Sequence, residues 1–439
     1  MLIEIIIALL TGIFAGTITG LLPGIHINLI GAILVSASIS VLSGITPIYF
    51  AVFIVAMSIT HSFLDFIPSI FLGCPEDGTE LSILPGHHLL KKGRGYEAVM
   101  LTAYGGLSAI LILLISSAPL TILIPKIYPL ISKFIPYILI LILIFMIFSE
   151  KNKFSALLVI FLTGILGYIV LNLELKESLL PLLAGLFGAS SLMISVSSKT
   201  KIPKQKISEK IKPNFIKPLA GLLISSPICG FLPGLGSGQA AVIGNTIAKT
   251  DDKGFLVLLG ATNTLIMSLS FISLYTIHKK RTGSAAAIES LIGNFEINIL
   301  MLILSICFIS GLISFFLTKF LAKKFTAIVN SINYSNLSIF TLVFVSLIVL
   351  IFSGFLGLLI FIISTFTGIY CIQTSVKRTN MMACLLVPTK ITATPFTAKS
   401  LRNFPAEINQ SRVFSRSIIW MFERASKMYS SALGFLRFT

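Results

Sequence analysis

The chain has 439 residues, of which 55% are hydrophobic and 11% charged, with a mean hydropathy of +0.99. Soluble domains carry about a quarter charged residues, so this composition excludes a soluble globular protein and describes a polytopic membrane protein. The net charge of +17 fits basic residues gathered in cytoplasmic connections, and no nucleic acid partner is expected.

Residues 2–19 form the first apolar stretch, and no basic region precedes it. It reads as a membrane helix and not as a cleaved leader. Further apolar stretches recur at 46–60, 97–124, 134–149, 154–172, 178–197, 254–277, 284–318 and 336–370. About 20 residues cross the hydrocarbon core. Backbone groups in lipid need internal partners, and nothing alternates as a barrel strand would, so helices are the expected spanning elements.

After the first stretch comes "GLLPGIHINLIG" (20–31), and its Gly-x-Leu-Pro-Gly core returns 210 residues later in "GFLPGLGSGQAAVIG" (230–244). Proline removes a helical donor and clashes with the preceding turn, while glycine permits unusual dihedrals. Pro23-Gly24 and Pro233-Gly234 are therefore expected to break helices inside the membrane. Freed N–H groups at a helix N-terminus suit a carboxylate, and unwound carbonyls suit a cation. The candidate substrate-binding residues in the two motifs are Gly20, Pro23, Gly24, His26 and Asn28, then Gly230, Pro233, Gly234, Gly236, Ser237, Gly238 and Gln239.

The second feature of each half is a polar hairpin. "GCPEDGTELS" (73–82) is acidic and "HKKRTGSAAA" (278–287) is basic, and Gly78-Thr79 faces Gly283-Ser284 at an offset of 205. At the same offset "FIPSIF" (66–71) faces "FISLYT" (271–276). Gly78, Thr79, Gly283 and Ser284 join the candidate substrate site. Ionisable groups at membrane depth are expensive and usually functional, so Asp65, Glu76 and Asp77 are candidates for ion coupling, with Asn263 and Thr264 beside them. The competing reading leaves both hairpin tips, including Lys279, Lys280 and Arg281, among lipid headgroups. His61 reads as structural, and His87 and His88 as surface residues. The five cysteines show no metal-type spacing.

Between the halves, "SKTKIPKQKISEKIKPNFIK" (198–217) carries seven lysines against Glu209 and reads as a cytoplasmic linker. The expected organisation is a first membrane repeat (1–197), this linker, a second repeat (218–389) and a polar basic tail (390–439). The fold class is all-α and polytopic, with two repeated, inverted halves and discontinuous helices at the Leu-Pro-Gly motifs. Duplicated broken helices point to a transporter binding site, and the leading function is a secondary active transporter for a small organic anion. A passive anion channel or a lipid-handling protein is the alternative. Catalysis is not expected, since no His-Glu-x-x-His or phosphate-loop motif occurs.

These motifs, with "ILPGHHLLKKGRGYEA" (83–98), "TGSAAA" (282–287) and "KRTNMMACLLVPT" (377–389), resemble the large membrane subunit of tripartite tricarboxylate transporters, the TctA family. The likeness spans most of residues 1–389. It implies gradient-driven uptake of a di- or tricarboxylate at the plasma membrane, coupled to sodium or protons. It also implies a small membrane subunit and an extracytoplasmic solute-binding protein as partners. No cofactor is expected apart from a bound sodium ion. The chain departs from the family pattern at Cys74-Pro75-Glu76, at Lys280-Arg281-Thr282 and in the polar segment after Thr389.

Overall fold

In the computed structural model the apolar stretches fold as α-helices, the form in which backbone groups satisfy one another without water. The structure describes residues 2–22, 27, 30–31, 34–35, 44–73, 75, 79–132, 134–173, 175, 178–197, 203–208, 211, 213–231, 236–293, 295–331 and 334–393, and none of these is in a strand. Met1–Thr389 pack as one compact unit.

The first half begins with α1 (Leu2–Leu21), α2 (Pro47–Leu64) and α3 (Phe66–Leu72). A 3-10 turn at Glu80–Ser82 leads into α4 (Ile83–Leu90) and the long α5 (Gly95–Ser132). Then come α6 (Ile135–Phe148), α7 (Lys153–Leu171), α8 (Leu179–Leu183), a π turn at Ala184–Ala189 and α9 (Ser190–Ser197). The second half holds α10 (Ile216–Phe231), α11 (Ser237–Ala248), α12 (Asp252–Ile277), α13 (Gly283–Ile292) and α14 (Ile297–Ser331). It closes with α15 (Tyr334–Gln373), a 3-10 turn at Arg378–Met382 and α16 (Ala383–Ala393). Helix starts follow ordinary capping chemistry: Asp251 accepts from Gly254 N–H at 3.0 Å and Thr282 from Ala285 N–H at 3.2 Å.

Seven of the described helices are long and apolar enough to cross a membrane: Leu2–Leu21, Pro47–Leu72, Gly95–Leu130, Lys153–Leu171, Asp252–Ile277, Ile297–Ser331 and Ser338–Gln373. Three expected stretches resolve differently. Residues 284–318 divide into α13 and α14 at Gly293, whose φ of 70° ends the first helix. Residues 134–149 give only the 14-residue α6, and 178–197 is interrupted by the π turn. There Gly185 and Gly188 press against the backbone at Phe361 and Gly73, a close approach that favours local unwinding over an uninterrupted rod.

Packing fixes helix directions. α1 lies on α2 along Gly12, Gly16 and Gly20, which face Phe53, Met57 and Leu64 in turn, so the two run parallel. Small residues four apart allow this closeness, and in lipid such packing replaces the hydrophobic drive. α2–α3 runs antiparallel to α5, with Gly106 facing Phe63 and Gly95 facing Phe71. α5 runs parallel to α12: Glu97 pairs with Lys253 at 3.1 Å, Thr102 faces Gly260, and Gly106 faces Thr264. α10 and α12 are parallel, with Pro218 near Gly254 and Gly230 near Leu269, while α11 folds back on α10 through Gly221 and Gly244. α5 and α14 are antiparallel, since the Tyr104 and Phe315 rings meet at a tilt with centres 5.2 Å apart and Ile110 meets Gly311. The linker is tied to this frame: Gln205 accepts from Gly95 N–H at 2.9 Å and donates to Leu90 O at 2.9 Å.

Candidate functional site

Asp65 sits between α2 and α3 in right-handed helical geometry, so the two helices continue through it as one 26-residue span. Its residue is 2% exposed. A carboxylate so placed requires polar neighbours, because burying charge without partners is costly. α12 supplies one: Asn263 Nδ2 donates to Asp65 Oδ2 at 2.9 Å and to Ser62 O at 3.3 Å. The amide's other end is used too, since Ser237 Oγ donates to Asn263 Oδ1 at 3.1 Å. The Ser62 and Thr264 hydroxyls lie 3.4 Å apart alongside. One chain of hydrogen bonds thus joins the start of α11, the middle of α12 and the α2–α3 junction.

The start of α11 is the second component. Gly236 is its N-cap, and Gln239 Oε1 accepts from Gly236 N–H at 2.8 Å. Helical geometry leaves the N–H groups of Ser237 and Gly238 without partners in the helix, and the positive end of the helix dipole lies there. Gly238 approaches the Glu80 carboxylate so closely that a Cβ would overlap it, and Met382 flanks the same point. Glu80 is buried, as is Thr79, whose carbonyl accepts from Ser69 Oγ at 3.2 Å and Ser82 Oγ at 2.7 Å.

The end of α10 forms the third component. Arg281 Nε donates to Gly230 O at 3.1 Å and Nη2 to Cys229 O, while Ser273 Oγ donates to Gly230 O at 3.2 Å. A cation there complements the negative end of the helix. Burial lowers the Arg281 pKa to about 10, which leaves the guanidinium charged at neutral pH. Two hydroxyl pairs and one imidazole–hydroxyl contact stitch the neighbouring helices: Ser58 with Ser284 at 2.6 Å, Thr60 with Ser314 at 3.0 Å, and His61 Nδ1 with Thr19 Oγ1 at 3.1 Å.

Of the residues singled out from the sequence, Asp65, Asn263, Thr264, Ser237 and Gly238 meet around this network. Gln239 is engaged in capping α11. Gly20 packs against α2, Gly230 offers its carbonyl to Arg281, Thr79 lies by Glu80, and Gly283 and Ser284 open α13. Pro23, Gly24, His26, Asn28, Glu76, Asp77, Gly78, Pro233 and Gly234 lie outside the described residues.

Two readings are corrected. His87 is 7% exposed and not a surface residue, because α4 turns it inward; its neighbour His88 does face outward and pairs with Asp252 at 3.0 Å. Arg281 is drawn to the α10 carbonyls, whereas Lys280 of the same trio pairs with Glu289 at 2.6 Å near the surface. Arg378 was not singled out, although it lies in the quoted "KRTNMMACLLVPT"; it too is buried. Among the described residues no group of three His, Cys, Asp or Glu side chains could hold a metal.

Residues 6–383 match the model of the tripartite tricarboxylate transporter TctA family. The chain is also 33% identical over 398 residues to the uncharacterized protein MJ1079 of Methanocaldococcus jannaschii, an alignment covering 87% of this chain and 97% of that protein. No solved structure matches.

Proposed function

The chain belongs to the tripartite tricarboxylate transporter TctA family, and from that premise we propose that it is the permease of a gradient-driven carboxylate transporter. The observation that carries this reading is the buried contact of Asp65 with Asn263 and Ser237, which ties an intramembrane carboxylate to the start of α11. A sodium ion or proton is held on the acidic side, at Asp65 with the Ser62 and Thr264 hydroxyls. The carboxylate of the solute is held by the N–H groups at the start of α11, where the helix dipole favours negative charge. Joining the two sites through one amide couples them: charge on Asp65 biases the orientation of Asn263, and with it Ser237.

The two halves are read as inverted repeats that rock about this contact. In support, Pro47–Leu72 and Asp252–Ile277 have the same length of 26 residues and begin 205 residues apart. α5 and α14 occupy matching places in the two halves and run antiparallel. α2–α3 and α12 also run in opposite directions, since the first opposes α5 and the second accompanies it. The Leu-Pro-Gly motifs follow α1 and α10, which enter from opposite faces. The linker with seven lysines (198–217) marks the cytoplasmic face, and a small membrane subunit and an extracytoplasmic binding protein complete the system.

Reconstitution in liposomes tests the proposal. Radiolabelled citrate, succinate or a related carboxylate is expected to accumulate when a sodium or proton gradient is imposed and to stop when the gradient is collapsed. Flux indifferent to both gradients identifies a channel instead, and no flux of any carboxylate refutes the reading.

A further inference from the structure

The 3-10 turn Arg378–Met382 carries a guanidinium into the interior, where Arg378 is 9% exposed. Among the described residues its one hydrogen bond runs from Nη1 to Phe187 O at 3.3 Å, and it forms no ion pair. Arginine has five N–H donors in a planar fork and does not lose its charge at neutral pH. Even with burial lowering its pKa to about 10, the side chain remains a cation with most of its donors idle. The nearby carboxylate of Glu150 is engaged elsewhere, accepting from Asn380 Nδ2 at 2.8 Å and Lys377 N–H at 3.2 Å.

A second idle group lies beside it. His87 is buried and its Nε2 has no partner. Burial, and after it the charge of Arg378, holds the His87 pKa down at about 3, so the ring is neutral and can present an N–H from either nitrogen. Gly73, at φ 69°, packs against the His87 ring edge, where a side chain would crowd it. Buried charges and polar groups are normally satisfied. Here a buried cation and a buried neutral donor, near enough for the charge of the first to act on the second, have no anionic partner among the described residues.

We propose that Arg378, assisted by His87, is the docking point for one carboxylate group of the transported solute. This inference rests on the transport reading above and sharpens it. Arginine's fork matches a carboxylate with two parallel hydrogen bonds. At the far end of the same turn Met382 abuts Gly238 at the start of α11. The turn spans five residues, so Arg378 lies about 8 Å from that end at roughly 2 Å per residue. Two anion anchors separated in this way select a solute bearing more than one carboxylate.

The test uses the purified full-length chain in detergent and in liposomes. Thermal unfolding is followed with citrate, succinate, acetate or chloride at matched ionic strength. Citrate and succinate are expected to raise the midpoint of the unaltered protein more than acetate or chloride does. Arg378→Gln is expected to abolish that shift without lowering the midpoint in anion-free buffer. Arg378→Lys restores part of the shift, and His87→Gln weakens it by a smaller factor. In uptake assays Arg378→Gln raises KM about tenfold or more, the loss expected for a charged hydrogen bond.

An undiminished carboxylate shift in Arg378→Gln, equal protection by chloride, or earlier unfolding of Arg378→Gln in anion-free buffer overturns the inference. Uptake with unchanged KM in that variant overturns the site and leaves the transport reading intact. Carboxylate protection that depends on Arg378, in a protein that takes up nothing, does the reverse.

Discussion

The helices Pro47–Leu72 and Asp252–Ile277 are buried over 94% of their most apolar window, whereas Gly95–Leu130 and Ser338–Gln373 are buried over only 22% and 33%. All four pass for membrane helices by length and composition, yet their polar content differs. The central pair carries Ser62, Asp65, Asn263 and Thr264 in the interior. The apolar windows of the other pair present Ile115, Ile351 and Phe355 outward, at 80%, 75% and 81% exposure. A soluble protein buries its greasiest stretches; here the exposed windows are the greasier ones because hydrocarbon surrounds them. In lipid, packing and hydrogen bonds hold helices together, so polarity marks the inside.

This contrast is open to direct attack. The largest effect is expected from Gly260→Leu in the centre, where a side chain would meet the backbone of Thr102. A loss of about 3 kcal/mol or more, read as the unfolding midpoint in detergent, is the expected outcome. Next is Ile351→Asp on the outer face, expected to cost about 2.5 kcal/mol and to reduce membrane insertion in a glycosylation-mapping assay. Ile351→Ala at the same position should stay within about 0.5 kcal/mol; equal tolerance of aspartate and alanine would contradict the lipid-facing assignment.

Asn263→Leu removes the amide donor to buried Asp65 and should cost about 1–3 kcal/mol, with gradient-driven uptake falling more steeply than stability. Uptake that simply tracks the folded fraction would reduce the Asp65 network to a structural one. The smallest change is expected for Lys280→Ala, whose exposed pair with Glu289 is worth less than about 0.5 kcal/mol and weakens further in salt.

Much of this arrangement was legible in the residues themselves. Asp65, Asn263 and Thr264 stand out because each interrupts an apolar run, and the cost of burying polarity makes any such interruption informative. Other features were not legible. His87 and His88 are adjacent and chemically identical, yet a helix points neighbouring side chains in different directions, and only α4's rotation decides which turns inward. The division of 284–318 depended on a left-handed glycine at Gly293, in a run whose hydropathy never falters.

Local chemistry therefore determined the class of this protein: the need to satisfy backbone groups in lipid dictates helices, and charge avoidance dictates where connections lie. Tertiary structure alone decided that Asp65 meets Asn263 across 198 residues of chain and that Arg378 and His87 are both buried. Hydropathy is a property of each residue taken separately. A contact between distant residues depends on helix direction, rotation and closeness of approach, which small residues such as Gly106 and Gly260 govern without revealing their partners.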